Sequence, residues 1–178
     1  MQSRTEELLR YLDDEHKILR RAVDLIPPDQ RDMKPSPDRW SVAEILEHLA
    51  LVETRLEKLF ASKVAEARAS GLGPEQASLP DLYPFDRTRV LDRSRAVTAG
   101  EAVRPTGRMD AATAWPAVER SFAAFRETVR ASDGVPLGRF VHPHPAFGPI
   151  TLYGWVEFVA GHEARHAAQI AEIATVAR

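Results

Sequence analysis

The chain has 178 residues, of which 44% are hydrophobic, and it contains no cysteine. This length and hydrophobic content are enough for a sizeable core, so we expect a single domain over residues 1–178. The lack of cysteine excludes disulfides, thiolate metal ligands and a cysteine nucleophile, so any thiol chemistry requires an external thiol. The formal net charge of −2, without a basic stripe, argues against nucleic acid as a partner.

Two further features bear on location. No run of 18 apolar residues occurs, so we expect no membrane-spanning segment. Residues 1–7 are charged where a signal peptide requires an apolar run. A cytoplasmic protein is therefore the expectation.

Hydrophobic periodicity predicts four amphipathic helices and no strand. Apolar residues at three- to four-residue spacing predict the first helix over roughly residues 3–26, and Pro27 ends it. The second helix begins at Ser41, which forms a capping box with Glu44. We expect this helix to end near Gly71, since glycine favours helix termination.

A long connection separates the second helix from the third. Residues 71–110 are rich in glycine and proline and have little periodicity, so they predict a crossover with a short helix around 87–97. The third helix is predicted over roughly 112–131, with Pro116 acceptable only in its first turn. The expected fold is therefore an all-α four-helix bundle with a long crossover between helices two and three.

The fourth helix carries the strongest chemical signal. It follows a connector at 141–149 and begins near Thr151, a plausible N-cap. His162 and His166 lie four residues apart on one face, so both imidazoles can reach one metal ion. His48 lies on the apolar face of the second helix and would complete a three-histidine site with one open coordination position.

Each histidine can also be explained without a metal. Burying three imidazoles without partners costs about 1–3 kcal/mol each, and a shared cation removes that cost, so a metal site is the preferred interpretation over three separately hydrogen-bonded rings. His16 is expected to be a core residue with one hydrogen bond. His142 and His144 are expected to be loop residues or to lie at a cavity mouth rather than to bind a metal.

The string His162-Glu-Ala-Arg-His166 also matches the zincin protease motif. The longer metzincin pattern would require glycine and histidine where this chain has Gln169 and Glu172, and no strand is predicted to hold a peptide. A protease is therefore not favoured. Glu163 lies about 100° around the helix from His162, so we expect a solvated charge, with a base or supporting role as the alternative.

Two segments together resemble a known family. Residues 40–49, Trp-Ser-Val-Ala-Glu-Ile-Leu-Glu-His-Leu, resemble the second-helix signature of the DinB-like (DinB/YfiT) superfamily. Residues 147–155, followed by the His-x-x-x-His pair and Gln-Ile at 169–170, resemble its fourth helix. The combined pattern covers nearly the whole chain.

The resemblance implies a four-helix bundle that holds one divalent metal ion through His48, His162 and His166. It does not fix the metal, which can be Zn, Ni, Fe or Mn. The resemblance also implies a homodimer. The family includes metal-dependent transferases and isomerases that use low-molecular-weight thiols such as bacillithiol or mycothiol. We therefore expect a metal-dependent thiol S-transferase, or a related hydrolase or isomerase, acting on an electrophilic small molecule. The crossover at 71–110 and the connector at 141–149 are the expected walls of its pocket.

Two alternatives belong to other functional classes. The first is a metal-binding stress-response protein without catalytic turnover, which requires the same three histidines. The second is a helical bundle that assembles with a partner and binds no metal.

Overall fold

The computed structural model of the chain describes residues 1–75, 84–94 and 97–176. Within these ranges four long helices, one short helix and a two-stranded hairpin are present, and three short 3₁₀ turns lie between them. The elements are α1 (Ser3–Asp24), α2 (Val42–Ala69), α3 (Arg87–Leu91), α4 (Ala111–Ala131), β1 (Val141–His144), β2 (Gly148–Thr151) and α5 (Leu152–Val176). The predicted all-α bundle is confirmed.

The four long helices pack as two pairs around an apolar interior. Helix α2 packs mainly along α4, and α1 mainly along α5, while α2 also contacts α5 and the short α3 lies against α5. Buried apolar side chains form two clusters, one containing Leu12 and Phe125 and the other containing Ile45 and Ile170. The contact between α2 and α5 brings the predicted ligands of both helices to the same region. Across the described residues, none of the helices is both long and apolar enough to cross a bilayer.

Helix α2 begins where the capping box predicted. The Ser41 hydroxyl accepts a hydrogen bond from the Glu44 amide at 3.1 Å, and the Glu44 carboxylate accepts one from the Ser41 amide at 2.9 Å. Each side chain thus satisfies a backbone donor that the first helical turn leaves unpaired. Lys34 pairs with the same Glu44 carboxylate at 2.9 Å. These contacts fix the start of the helix, and therefore the rotation that places His48 on its inner face.

The expectation of no strand is wrong, because residues 141–144 and 148–151 of the predicted connector and helix start form an antiparallel hairpin. In its register Pro143 lies opposite Pro149, and His144 lies opposite Gly148. Gly148 has a φ of +75°, a conformation that glycine adopts without steric cost after a three-residue turn. Prolines in both strands remove ladder donors and hide the strand signal in the sequence.

Helix α5 follows β2 directly. The Thr151 hydroxyl accepts a hydrogen bond from the Gly154 amide at 3.1 Å, which confirms the predicted N-cap. Thr151 is therefore both the last residue of β2, where it pairs with Val141, and the N-cap of α5. His162 and His166 lie further along the same helix.

Two predicted details of the middle region need correction: the position of Pro116 in its helix, and the end, but not the start, of the short helix. Pro116 is the sixth residue of α4 rather than a first-turn residue, so the helix continues through it without the hydrogen bond that its amide would make. The short helix expected around 87–97 is α3, which ends at Leu91 because Asp92 adopts an extended backbone. Residues 95–96 of that prediction, and residues 76–83 of the predicted crossover, lie outside the described part of the chain.

Candidate metal centre

The structure brings together the three histidines that the sequence singled out. The Nε2 atom of His162 lies 3.4 Å from Nε2 of His48 and 3.1 Å from Nε2 of His166. One ligand atom from each of the three rings lies within 4.8 Å of the other two, so the group can hold a metal ion. His48 and His166 are buried. Two helices that are far apart in sequence thus present three imidazole nitrogens to one point.

Hydrogen bonds on the outer side of the rings fix which nitrogens face that point. His48 Nδ1 lies 2.7 Å from the carbonyl oxygen of Val103, and His166 Nδ1 lies 2.8 Å from Oε1 of Gln169. Both partners accept, so both Nδ1 atoms donate and carry the ring proton. The Nε2 atoms of these two neutral rings therefore direct lone pairs at His162.

This arrangement fits a cation. If all three rings are neutral and no ion is bound, one proton on His162 Nε2 can bond to the lone pair of only one neighbouring ring. At least one of the two close contacts between Nε2 atoms then has no hydrogen between its nitrogens. A divalent ion held by these three residues would accept all three lone pairs. The contacts to Val103 and Gln169 are the outer hydrogen bonds that orient histidine ligands in metal sites.

The electrostatics keep the three rings neutral. Burial lowers the pKa of His166 to about 3. Burial also lowers the pKa of His162, with repulsion from His166 and His48 acting in the same direction, and it lowers the pKa of His48. Neutral imidazole is the form that binds metals, so the environment keeps all three residues available as ligands at pH 7.

A cavity of about 560 Å³ opens onto the three histidines. This volume is in the range of small-molecule binding sites, about 300–1,000 Å³. Residues 97–100 of the crossover and residues 144–147 of the hairpin line it, so both predicted walls are confirmed. The remaining wall is largely apolar, and its bulky members are Trp40, Val52, Leu56, Trp155 and Phe158.

The comparison with known proteins agrees with this architecture. The DinB superfamily profile matches residues 11–170. The chain belongs to the DinB superfamily. A relative in Bacillus subtilis (strain 168), named uncharacterized protein YuaE, is 24% identical over 148 residues, which is 82% of this chain and 83% of that protein. No solved structure matches the chain.

This DinB-superfamily chain also buries an acidic pair that the sequence analysis missed. Glu53 of α2 and Glu163 of α5 are 1% and 0% exposed. Burial raises the pKa of Glu163 to about 8, and burial together with the charge of Glu163 raises that of Glu53 well above its ordinary value. Two facing carboxylates in an apolar interior cannot both be charged, so the pair retains a proton at pH 7. Ser121 donates to Glu53 at 2.6 Å.

The expectation of a solvated Glu163 is therefore wrong. Its carboxyl group is hydrogen-bonded to Nδ1 of His16 at 2.9 Å, and it is not among the residues that line the cavity. A zincin base must reach a ligand on the metal, which this side chain does not do. The geometry thus gives no support to a metalloprotease.

The other three histidines lie outside the ligand group, as the sequence predicted, but His142 and His144 lie in strand β1 rather than in a loop. His16 is half-buried, hydrogen-bonds to Glu163, lies 3.7 Å from Glu119 through Nε2, and stacks on Phe122 with ring centroids 3.8 Å apart. His144 lines the cavity, and burial lowers its pKa to about 4. His142 packs against Trp155 and lies outside the cavity lining.

Proposed function

We propose that this DinB-superfamily chain binds one divalent metal ion through His48, His162 and His166, and uses the open side of that ion for chemistry on a small molecule. The observation that carries the proposal is the convergence of three neutral Nε2 atoms on the wall of a cavity. Structural zinc sites have four protein ligands, whereas reactive sites keep one position for water or substrate. Among the described residues, only these three histidines form such a ligand group.

Bound at this position, a divalent ion lowers the pKa of a coordinated water or thiol, so that a nucleophile is available near neutral pH. The protein's own contribution is orientation and exclusion of water. Val103 and Gln169 hold two of the rings with their Nε2 atoms facing inward. Phe158 stacks on His162 with ring centroids 5.3 Å apart, and Trp155 extends the apolar wall.

The reaction we propose is thiol S-transfer. The chain has no cysteine, so the thiol is a separate small molecule such as bacillithiol, mycothiol or glutathione. The thiol releases its proton to solvent, its sulfur forms a bond to the electrophilic carbon of the second substrate, and the leaving group departs with the electron pair of the bond that breaks. A related hydrolase or isomerase would use the same site. The cavity favours these reactive roles over a non-catalytic metal-binding stress-response protein, which needs no space beside the ion.

The test is thiol consumption with a model electrophile, measured before and after chelation. We expect activity in the wild type, and in His142→Ala as a matched control, because His142 lies outside the cavity lining. We expect it to be lost on chelation and in His48→Ala. If metal-loaded protein consumes none of the three thiols, the transferase proposal is wrong, and the hydrolase, isomerase and non-catalytic alternatives are left.

Three finer points remain predictions. Elemental analysis distinguishes Zn, Ni, Fe and Mn as the bound ion. Light scattering tests the homodimer, for which we expect twice the mass of one chain. Cell fractionation tests the expected cytoplasmic location.

A further inference from the structure

Three arginines line the cavity beside the candidate metal centre. Arg55 comes from α2, Arg89 from α3 and Arg165 from α5. Among the residues that the structure describes, no aspartate or glutamate lines this cavity. The chain as a whole has a formal net charge of −2, so the positive charge here is a local feature.

Contacts with neighbouring elements hold two of these charges in place. Arg165 donates from Nη1 to the carbonyl oxygens of Val90, at 3.2 Å, and Asp92. Arg89 donates from Nη2 to the carbonyl oxygen of Ala146 at 3.3 Å. The acceptor of the Arg89 bond is an uncharged carbonyl oxygen, so this contact does not neutralise the charge of Arg89. A guanidinium has five N–H donors, so Arg89 keeps donors beyond this one contact.

Arg55 and Arg89 lie on the solvent side of the cavity, since both side chains are exposed. The guanidinium of Arg89 also lies over the ring of Phe147, 5.0 Å from its centroid, which joins the positive charge to the apolar wall. Guanidinium groups bind carboxylates and phosphates through paired hydrogen bonds. The cavity therefore offers an apolar interior and a positive opening to the same ligand.

We propose that the cavity binds an organic anion with an apolar body, whose charged group is selected by Arg55 and Arg89. This inference deepens the proposed function, because it names the substrate class of the same site. The apolar part of the ligand lies against the aromatic wall, and its carboxylate or phosphate faces the two arginines. The selection of charge comes from the arginines and does not require the metal.

The test compares an anion with a neutral analogue of the same shape. Isothermal titration calorimetry measures the dissociation constants of phenylacetate, phenylacetamide and phenyl phosphate with wild-type protein, before and after EDTA treatment. We expect at least one anion to bind about tenfold more tightly than the amide, the factor that a charge-assisted hydrogen bond supplies. The preference should persist after EDTA treatment and weaken at high ionic strength. Comparison of the two anions identifies carboxylate or phosphate as the preferred group.

Two variants assign the effect to the arginines. In the double variant Arg55→Gln/Arg89→Gln, the preference should fall to about threefold or less, while circular dichroism confirms an intact fold. Arg10→Gln removes an exposed arginine outside the cavity lining and should leave the preference unchanged.

Equal binding of anions and amide, an unchanged preference in the double variant, or its loss on EDTA treatment would overturn the inference. An arginine-dependent preference without thiol turnover would support it while removing the proposed transferase activity. The two proposals therefore fail separately.

Discussion

Gly161 of α5 allows the short helix α3 to lie close to the bundle. A Cβ at this position would lie 2.4 Å from Cγ1 of Val90, whereas the next nearest atoms, Cβ of Val90 and the Tyr11 hydroxyl oxygen, would be at 3.6 and 3.7 Å. Carbon atoms in contact normally lie about 3.5–4.0 Å apart, so in Gly161→Ala the Val90 side chain must rotate or α3 must shift outward by about 1 Å. Because α3 carries Arg89, the same shift would widen the cavity.

The expected energies follow from this single clash. Overpacking costs about 1–3 kcal/mol, and replacing a helical glycine by alanine returns about 0.5–1 kcal/mol, so Gly161→Ala alone should be neutral to moderately destabilising. Val90→Ala removes the obstructing methyl group and loses its own packing. In the double variant the alanine at 161 no longer meets Cγ1. We therefore expect the double variant to be about 1–3 kcal/mol more stable than the sum of the two single effects predicts.

Urea denaturation of the wild type, the two single variants and the double variant measures this coupling directly. The gain in helix propensity from alanine at position 161 occurs with either valine or alanine at position 90, so it cancels when the four free energies of unfolding are compared. Free energies of unfolding that add within about 0.5 kcal/mol would show that Gly161 and Val90 do not interact, and would refute the argument.

Three further predictions follow from the site and its supports. Ser41→Ala should lower the free energy of unfolding by about 1 kcal/mol in chemical denaturation, since it removes the cap of α2. Gln169→Ala should weaken metal binding in competition with a chelator by about tenfold or more at unchanged helicity, because His166 loses its outer hydrogen bond. The free energy of unfolding of Glu163→Gln should increase relative to that of the wild type as pH rises from about 4.5 to about 8. In this range the folded wild type holds a proton on Glu163 that the unfolded chain has released, so the wild type loses stability and the variant does not. A difference from the wild type that does not change with pH would contradict the last prediction.

Much of the architecture could be predicted because the helices have strong local signals. Apolar spacing, the Ser41 capping box and the Thr151 cap located the long helices to within a few residues. The hairpin could not be predicted in this way, because its strands have four residues each and carry prolines. Its stability depends on contacts with α5, which no local pattern reports.

Only part of the candidate site could be predicted, because only some of its features leave a local pattern in the sequence. The four-residue spacing of His162 and His166 is a local pattern, whereas the Val103 carbonyl that orients His48 is 55 positions away and has no side-chain signature. The buried acidic pair did leave a signal. Glu53 lies seven residues from both Leu46 and Phe60, and is therefore on the apolar face of α2. An acidic residue at such a position indicates a buried partner, and here that partner is Glu163.

The central claim is that His48, His162 and His166 bind one metal ion together. Elemental analysis of wild-type protein, His48→Ala and the control His142→Ala, all purified in the same way, tests it most directly. We predict one transition-metal ion per chain in the wild type and the control, and a large loss in His48→Ala at unchanged helical content. Equal metal content in all three proteins, or none in the wild type after incubation with Zn, Ni, Fe or Mn, would contradict the account.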